Sequence, residues 1–177
     1  MRNVGYTPGT SRGSSFVLKE GVEIYGGFAG DENNLHDRNI TANPTILSGD
    51  IGTIGDNSDH AIHVVRGSGL SNTAVLDGFT ITKGNADVNP FTGNVGGGIF
   101  LDNADPTFRN LVVTENNAAA NGGGIYNVNG DPTLTNVTLE FNTARNGGAI
   151  YNDGSSSPII TNGTFRLNAA SGDGGAL

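Results

Sequence analysis

The sequence predicts an all-β solenoid, a right-handed parallel β-helix with three short strands per coil and about 26 residues per coil in its C-terminal half. Three observations predict it. Landmarks recur at a fixed step: Pro106, Pro132 and Pro158 lie 26 residues apart, as do Asn110, Asn136 and Asn162, and Asn116, Asn142 and Asn168. Apolar positions keep that step (Phe108, Leu134, Ile160; Val113, Leu139, Phe165), and within "PTLTNVTLEFN" they alternate with polar ones, the period of a strand. Finally, 29 glycines and 23 asparagines interrupt every window, so no segment sustains a helical period. A unit this short cannot bury its own apolar face and must stack on its next copy, strand over strand at about 4.8 Å, with the crossover hand that strand twist prefers.

In chain order, "FVLKEGVEIYGGF" (16–28), "TILSGDIG" (45–52), "HAIHVVRGSG" (60–69) and "AVLDGFTITKGNA" (74–86) supply strands of early coils. The polar stretch "AGDENNLHDRNITANP" (29–44) reads as a surface loop thrown out between them. The last of these segments matches "FRNLVVTENNA" at a step of 32, and the loop "DVNPFTGNV" (87–95) accounts for the surplus. Residues 1–177 thus form a single β-helix domain of six or seven coils, irregular with long loops over 1–95 and regular over 96–177. The chain stops in mid-repeat on "GGAL", with Leu177 at the inward position of Ile99, Ile125 and Ile150 and no polar cap. This predicts a fragment of a longer chain, or pairing of the molecule with itself through the ends of the helix; head-to-tail pairing would build a filament.

Two asparagine rows, Asn110/Asn136/Asn162 and Asn116/Asn142/Asn168, are expected as structural ladders at two corners, because an Asn side chain tolerates turn geometry and bonds to its neighbour one coil away. The sequons at Asn136 and Asn162 fall in the first ladder, where a stacked side chain is a poor glycan acceptor. Gly97-Gly98, Gly123-Gly124, Gly147-Gly148 and Gly174-Gly175 mark a third corner.

The balance of charge narrows the function. A net charge of −8 argues against nucleic acid or an anionic membrane as partner. No run of 18 apolar residues provides a membrane-spanning helix, and neither a signal nor an anchor is recognisable. The absence of cysteine removes disulfides and zinc–thiolate sites.

Specific words in the chain resemble a known family. "FRLNAASGDGGAL" carries F-x-x-N followed by GGAL, and "GGAI" stands at 147–150; the pairing resembles the repeat signature of the chlamydial polymorphic outer membrane proteins. "GVEIYGGFAGDENN", "NPTILSGDIG" and "LDGFTITKGNA" resemble the opening region of large bacterial secreted β-helix proteins of the pectin-lyase-like fold. The resemblance covers residues 16–177, departing from the chlamydial pattern where Val113 and Leu139 replace phenylalanine. It implies an extracellular or cell-surface module, adhesin-like and structural; the partners expected of such a chain are itself through the helix ends, glycans, or proteins of a host or neighbouring surface.

No catalytic residue is assigned. Asp105 and Asp131 stack beside the prolines, but the third member of that row is Ser157, and Asp before Pro commonly serves a turn. A lyase needs a base and clustered acids, and the only lysines, Lys19 and Lys83, lie far apart. A polysaccharide lyase or glycoside hydrolase stays open as the enzymatic alternative. For metal, "SGDIGTIGDNSDH" offers Asp50, Asp56 and Asp59, with His60 beside them, as candidate ligands for calcium; His36, His60 and His63 form no recognisable triad, and no other cofactor is indicated. Phe100, Tyr126 and Tyr151 are expected as an exposed aromatic row that could stack on sugars, with strand stabilisation as the alternative. Outward threonines (Thr138 and Thr164; Thr135 and Thr161) leave an ice-binding face as a further alternative, although the column breaks at Val112.

Overall fold

A computed structural model describes residues 4–88 and 93–177; residues 89–92 of the expected 87–95 loop lie outside the described residues. Parallel strands stack into four sheets, so the chain is a parallel β-helix. One sheet holds Val4–Tyr6, Thr45–Ser48, Phe79–Thr82, Val112–Thr114, Thr138–Glu140 and Thr164–Arg166. We call it the Leu139 sheet. The Leu134 sheet holds Glu23–Tyr25, Val75–Asp77, Thr107–Arg109, Thr133–Thr135 and Ile159–Thr161. The Ile125 sheet holds Phe16–Val17, Val65–Ser68, Ile99–Asp102, Ile125–Val128 and Ile150–Asp153.

These are the three strands expected per coil. A fourth, of two residues each, completes the later coils: Asn85–Ala86, Asn117–Ala118, Thr143–Ala144 and Ala169–Ala170, the alanine sheet. Segments so short carry no periodicity, which is why sequence reading passes over them. The six or seven coils expected come out as six strands in the Leu139 sheet and fewer in the others, because the early loops consume chain.

The core follows the predicted alternation. Val113 pairs with Leu139 and Leu139 with Phe165, the first two buried and the third packed against the core. Leu76, Phe108, Leu134 and Ile160 stack in the Leu134 sheet, and Ile99, Ile125 and Ile150 in the Ile125 sheet. Packing is compensated between positions. Phe165 is bulkier than Leu139 above it, and two residues earlier Gly163 stands where the preceding coils have Leu111 and Val137. A Cβ on Gly163 would lie 2.7 Å from Ile160 Cγ2 and 3.0 Å from Phe165 Cε2, so the ring occupies volume the glycine leaves free.

Both asparagine ladders exist, and they differ. Asn110, Asn136 and Asn162 turn the corner in the left-handed region at φ 51°, 55° and 54°. Their amides bond coil to coil, Asn136 to Asn110 Oδ1 at 3.2 Å and Asn162 to Asn136 Oδ1 at 3.0 Å. Asn116, Asn142 and Asn168 point inward instead. The Asn142 amide donates to Val113 O (2.8 Å) and Asn168 Oδ1 (3.0 Å), and its own Oδ1 accepts the Asn116 backbone N–H (3.1 Å) and amide (3.0 Å). To aim them inward, the residue before each adopts left-handed φ, Glu115 at 55°, Phe141 at 54° and Leu167 at 54°, and Lys83 does the same at 63° before Gly84 one coil earlier. Such dihedrals cost about 1–2 kcal/mol for a residue with a Cβ, and the buried amide bonds offset it. None of these four residues is β-branched.

The glycine corner needs one correction. Hydrogen bonds set Gly97, Gly123 and Gly148 in one row, and Gly98, Gly124 and Ala149 in the next. Gly147-Gly148 is therefore shifted by one residue from the pairing read in the sequence. The residues that require glycine's freedom are Gly96, Gly122, Gly147 and Gly174, at φ 64°, 66°, 59° and 62°.

The 29–44 segment is only partly a loop thrown outward. Arg38 returns to the body and pairs with Asp77 Oδ2 at 2.8 Å, both side chains nearly buried. Its guanidinium also donates to Gly26 O and lies 5.2 Å from the centre of the Tyr25 ring. Nothing in the sequence marked this pair.

Candidate functional site

Three sequence candidates can be followed to their positions. Asp105 and Asp131 form a ladder of backbone acceptors: Asp105 Oδ1 takes the Asp131 N–H at 2.7 Å, and Asp131 Oδ1 takes the Ser157 N–H at 2.6 Å. Each carboxylate thus gives one oxygen to the turn of the next coil.

The aromatic row forms, but it is not exposed. Phe100 and Tyr126 keep only 5% and 9% of their surface, and Tyr151 is half-buried. Their rings stack, 5.7 Å and 5.9 Å between centroids, with His63 tilted against Phe100 at 5.0 Å. Val95, Ala120 and Val128 pack over them to make a second apolar cluster outside the main core. Outward from the strand is not open to solvent here, because Val95 and Ala120 cover that side. Burial and the hydrogen bond to Asp153 push the Tyr126 phenol up. His63 is likewise covered, and burial pushes its imidazole down to about 4.

The 50–60 loop brings together a different set from the three aspartates expected. Asp56 caps the short 3-10 turn Asn57–Asp59, and the Ser58 hydroxyl and N–H it accepts hold its carboxyl below the usual range. Asp50, Asp59 and His60 instead gather their ligand atoms within 4.8 Å of one another. Asp59 enters this cluster beside Gly52, where a Cβ would lie 2.6 Å from Asp59 Oδ2 and where φ is 74°.

Alongside lies a groove the sequence did not disclose, about 320 Å³ in volume, over the outer face of the alanine sheet. One wall is the row Asn85, Asn117, Thr143. The Asn117 amide donates to Asn85 Oδ1 at 2.8 Å, and the Thr143 hydroxyl donates to Asn117 Oδ1 at 2.8 Å. The other wall is the left-handed row, with Lys83 paired to Glu115 and the Phe141 ring nearly half exposed. His60 and Asn57 close one end, and Asn57 O accepts the Asn85 amide at 2.9 Å. The signal was present as rows at steps of 32 and 26 on either side of the inward asparagines, but those flanks look like ordinary solvated corner residues.

Outward threonine columns are interrupted by Val112, by Arg109 and by Ile159 in the registers that would extend them. Among the described residues, no helix is long and apolar enough to cross a membrane. In comparisons with known proteins, no family model, no curated protein and no solved structure matches this chain.

Proposed function

We propose that the chain is a non-catalytic, secreted or surface-displayed β-helical module, structural and adhesive, that holds glycan in the groove over its alanine sheet. The observation that carries this reading is the pairing of walls: a row of amides and hydroxyls (Asn85, Asn117, Thr143) faces a row bearing the Phe141 ring and the Lys83–Glu115 pair. Sugar hydroxyls bond well to amide rows of this kind, and the apolar face of a pyranose stacks on an exposed ring. Commitment of Asp105 and Asp131 to backbone N–H groups supports binding without cleavage. Placement outside the cell rests on the repeat resemblance.

Phe141 permits a decisive test, because it occupies a left-handed position that disfavours it. Phe141→Asn should raise stability by about 1 kcal/mol while removing the stacking ring. On a panel of neutral and acidic polysaccharides, the native chain should be retained without releasing reducing ends or unsaturated uronates. The variant should melt higher and bind at least ten-fold more weakly. Equal retention of both proteins, or cleavage products that vanish in Asp105→Asn, overturns the reading.

A further inference from the structure

We propose that Asp50, Asp59 and His60 form a binding site for a zinc-class divalent transition-metal ion. The three residues belong to a loop that closes on itself, with Ala61 N donating to Gly49 O at 2.8 Å and Ile51 buried beneath it. Within that loop the ligand atoms converge: His60 Nε2 stands 3.6 Å from Asp50 Oδ1, and all three groups fall within 4.8 Å. Metal bonds of about 2.0–2.2 Å in a tetrahedral arrangement separate neighbouring ligand atoms by roughly 3.4 Å, so only a small closure is needed.

The convergence alone would not make a site. A second observation does: His60 is 97% buried, its exposure being 3%, and its Nε2 has no hydrogen-bond partner among the described residues. Asp59 Oδ1 is in the same condition, shielded and unpartnered. A buried imidazole nitrogen aimed at Asp50 and a buried carboxylate oxygen of its neighbour in the cluster, both without hydrogen-bond partners, are costly unless something sits between them.

The remaining oxygens are otherwise used. Asp59 Oδ2 accepts the Thr53 N–H at 2.7 Å, and Asp50 accepts the Gly55 N–H at 3.2 Å, which fixes both carboxylates by backbone donors as outer partners commonly fix metal ligands.

The donor set selects the metal. Calcium favours six to eight oxygens, about 2.3–2.6 Å away, whereas one imidazole with two carboxylates suits zinc and its late first-row neighbours. Two carboxylates also neutralise a dication when the imidazole is neutral. Three protein ligands leave one tetrahedral position for water or for an oxygen of a bound molecule. Because Asp56 is replaced by His60 in the cluster, the expectation moves from calcium to zinc.

The test uses the full chain, stripped with a chelator and dialysed against Zn²⁺, Mn²⁺ or Ca²⁺. We expect one zinc per chain by elemental analysis, a rise in melting temperature with zinc, and no displacement of zinc by a hundred-fold excess of calcium. Asp59→Asn retains the loop's shape and should weaken zinc binding at least ten-fold, as should His60→Ala; Asp56→Asn should leave it unchanged. Should His60→Ala fail to fold, Co²⁺ bound to the native chain provides a separate readout, since a visible band of low-symmetry four-coordinate cobalt is expected. Sub-stoichiometric zinc, calcium preferred over zinc, or zinc binding indifferent to Asp59→Asn each overturns the proposal. None of these outcomes depends on glycan binding, so the site fails or stands independently of the groove.

Discussion

Residues 96–177 and residues 16–95 build coils of the same helix by opposite means. In the later coils, one residue type recurs at each corner and satisfies the copy before and the copy after, as Asn142 does between Asn116 and Asn168. The earlier coils add contacts that no other coil copies: Arg38 with Asp77, and His63 with Gly96 O at 2.8 Å. The repeats distribute their stability over many similar bonds. The irregular half concentrates it in a few buried ones.

That contrast can be tested by breaking each half in turn. The largest effect is expected at Leu139→Asp, which puts a charge where no surface is exposed and should cost more than about 5 kcal/mol, enough to unfold a domain of ordinary stability. A melting temperature within a few degrees of the parent would show the inward assignment to be mistaken. Arg38→Ala comes next. It strands Asp77 in a nearly buried position, and loss of about 3–5 kcal/mol is expected in denaturant unfolding.

The third test uses pH. His63 titrates near 4 in the folded chain against 6.5 for the free group, because burial disfavours its charged form. The unfolded chain therefore takes up the proton first. The contribution of His63 is complete above about pH 6.5 and falls away as pH drops toward 4, by on the order of 3 kcal/mol at the lower end. His63→Phe, which retains the ring against Phe100, should flatten that part of the stability profile relative to the native chain. An unchanged slope between pH 6.5 and 4 would exclude this cause.

The smallest effects separate the two ladders. Asn142→Ala takes the acceptor from the buried Asn116 backbone N–H and should cost about 2–3 kcal/mol. Asn136→Ala, on the exposed ladder, loses bonds that water can replace and should cost about 1 kcal/mol, mostly from placing alanine at left-handed φ. Equal costs would mean that burial does not distinguish the ladders.

Legibility in the sequence follows the same division. The inward row of Val113, Leu139 and Phe165 and the two ladders were readable, since each is a recurrence and a stacked coil converts recurrence into contact. What was not readable depended on chain crossing between coils of unequal length. The loop covering Phe100 and Tyr126, the return of Arg38, and the exchange of Asp56 for His60 in the acidic cluster have no period to betray them. The groove escaped for another reason. Its two walls are set by which side of a two-residue strand each residue falls on, and that depends on a left-handed corner occupied by Lys, Glu, Phe and Leu, residues that do not advertise it.

The inward asparagine has a consequence for heredity. Asn142 gives its amide protons to Val113 O and to Asn168 Oδ1, and takes protons from Asn116. Each of these later coils thus offers its successor the same socket that its predecessor offered it. Copying the 26 residues 117–142 once more in tandem would place a fresh asparagine under an identical set of donors and acceptors, with alanine, leucine and isoleucine falling on their own kind. Rod length can then change in steps of about 4.8 Å by duplication or loss of a short stretch of coding sequence, with no new interface to invent.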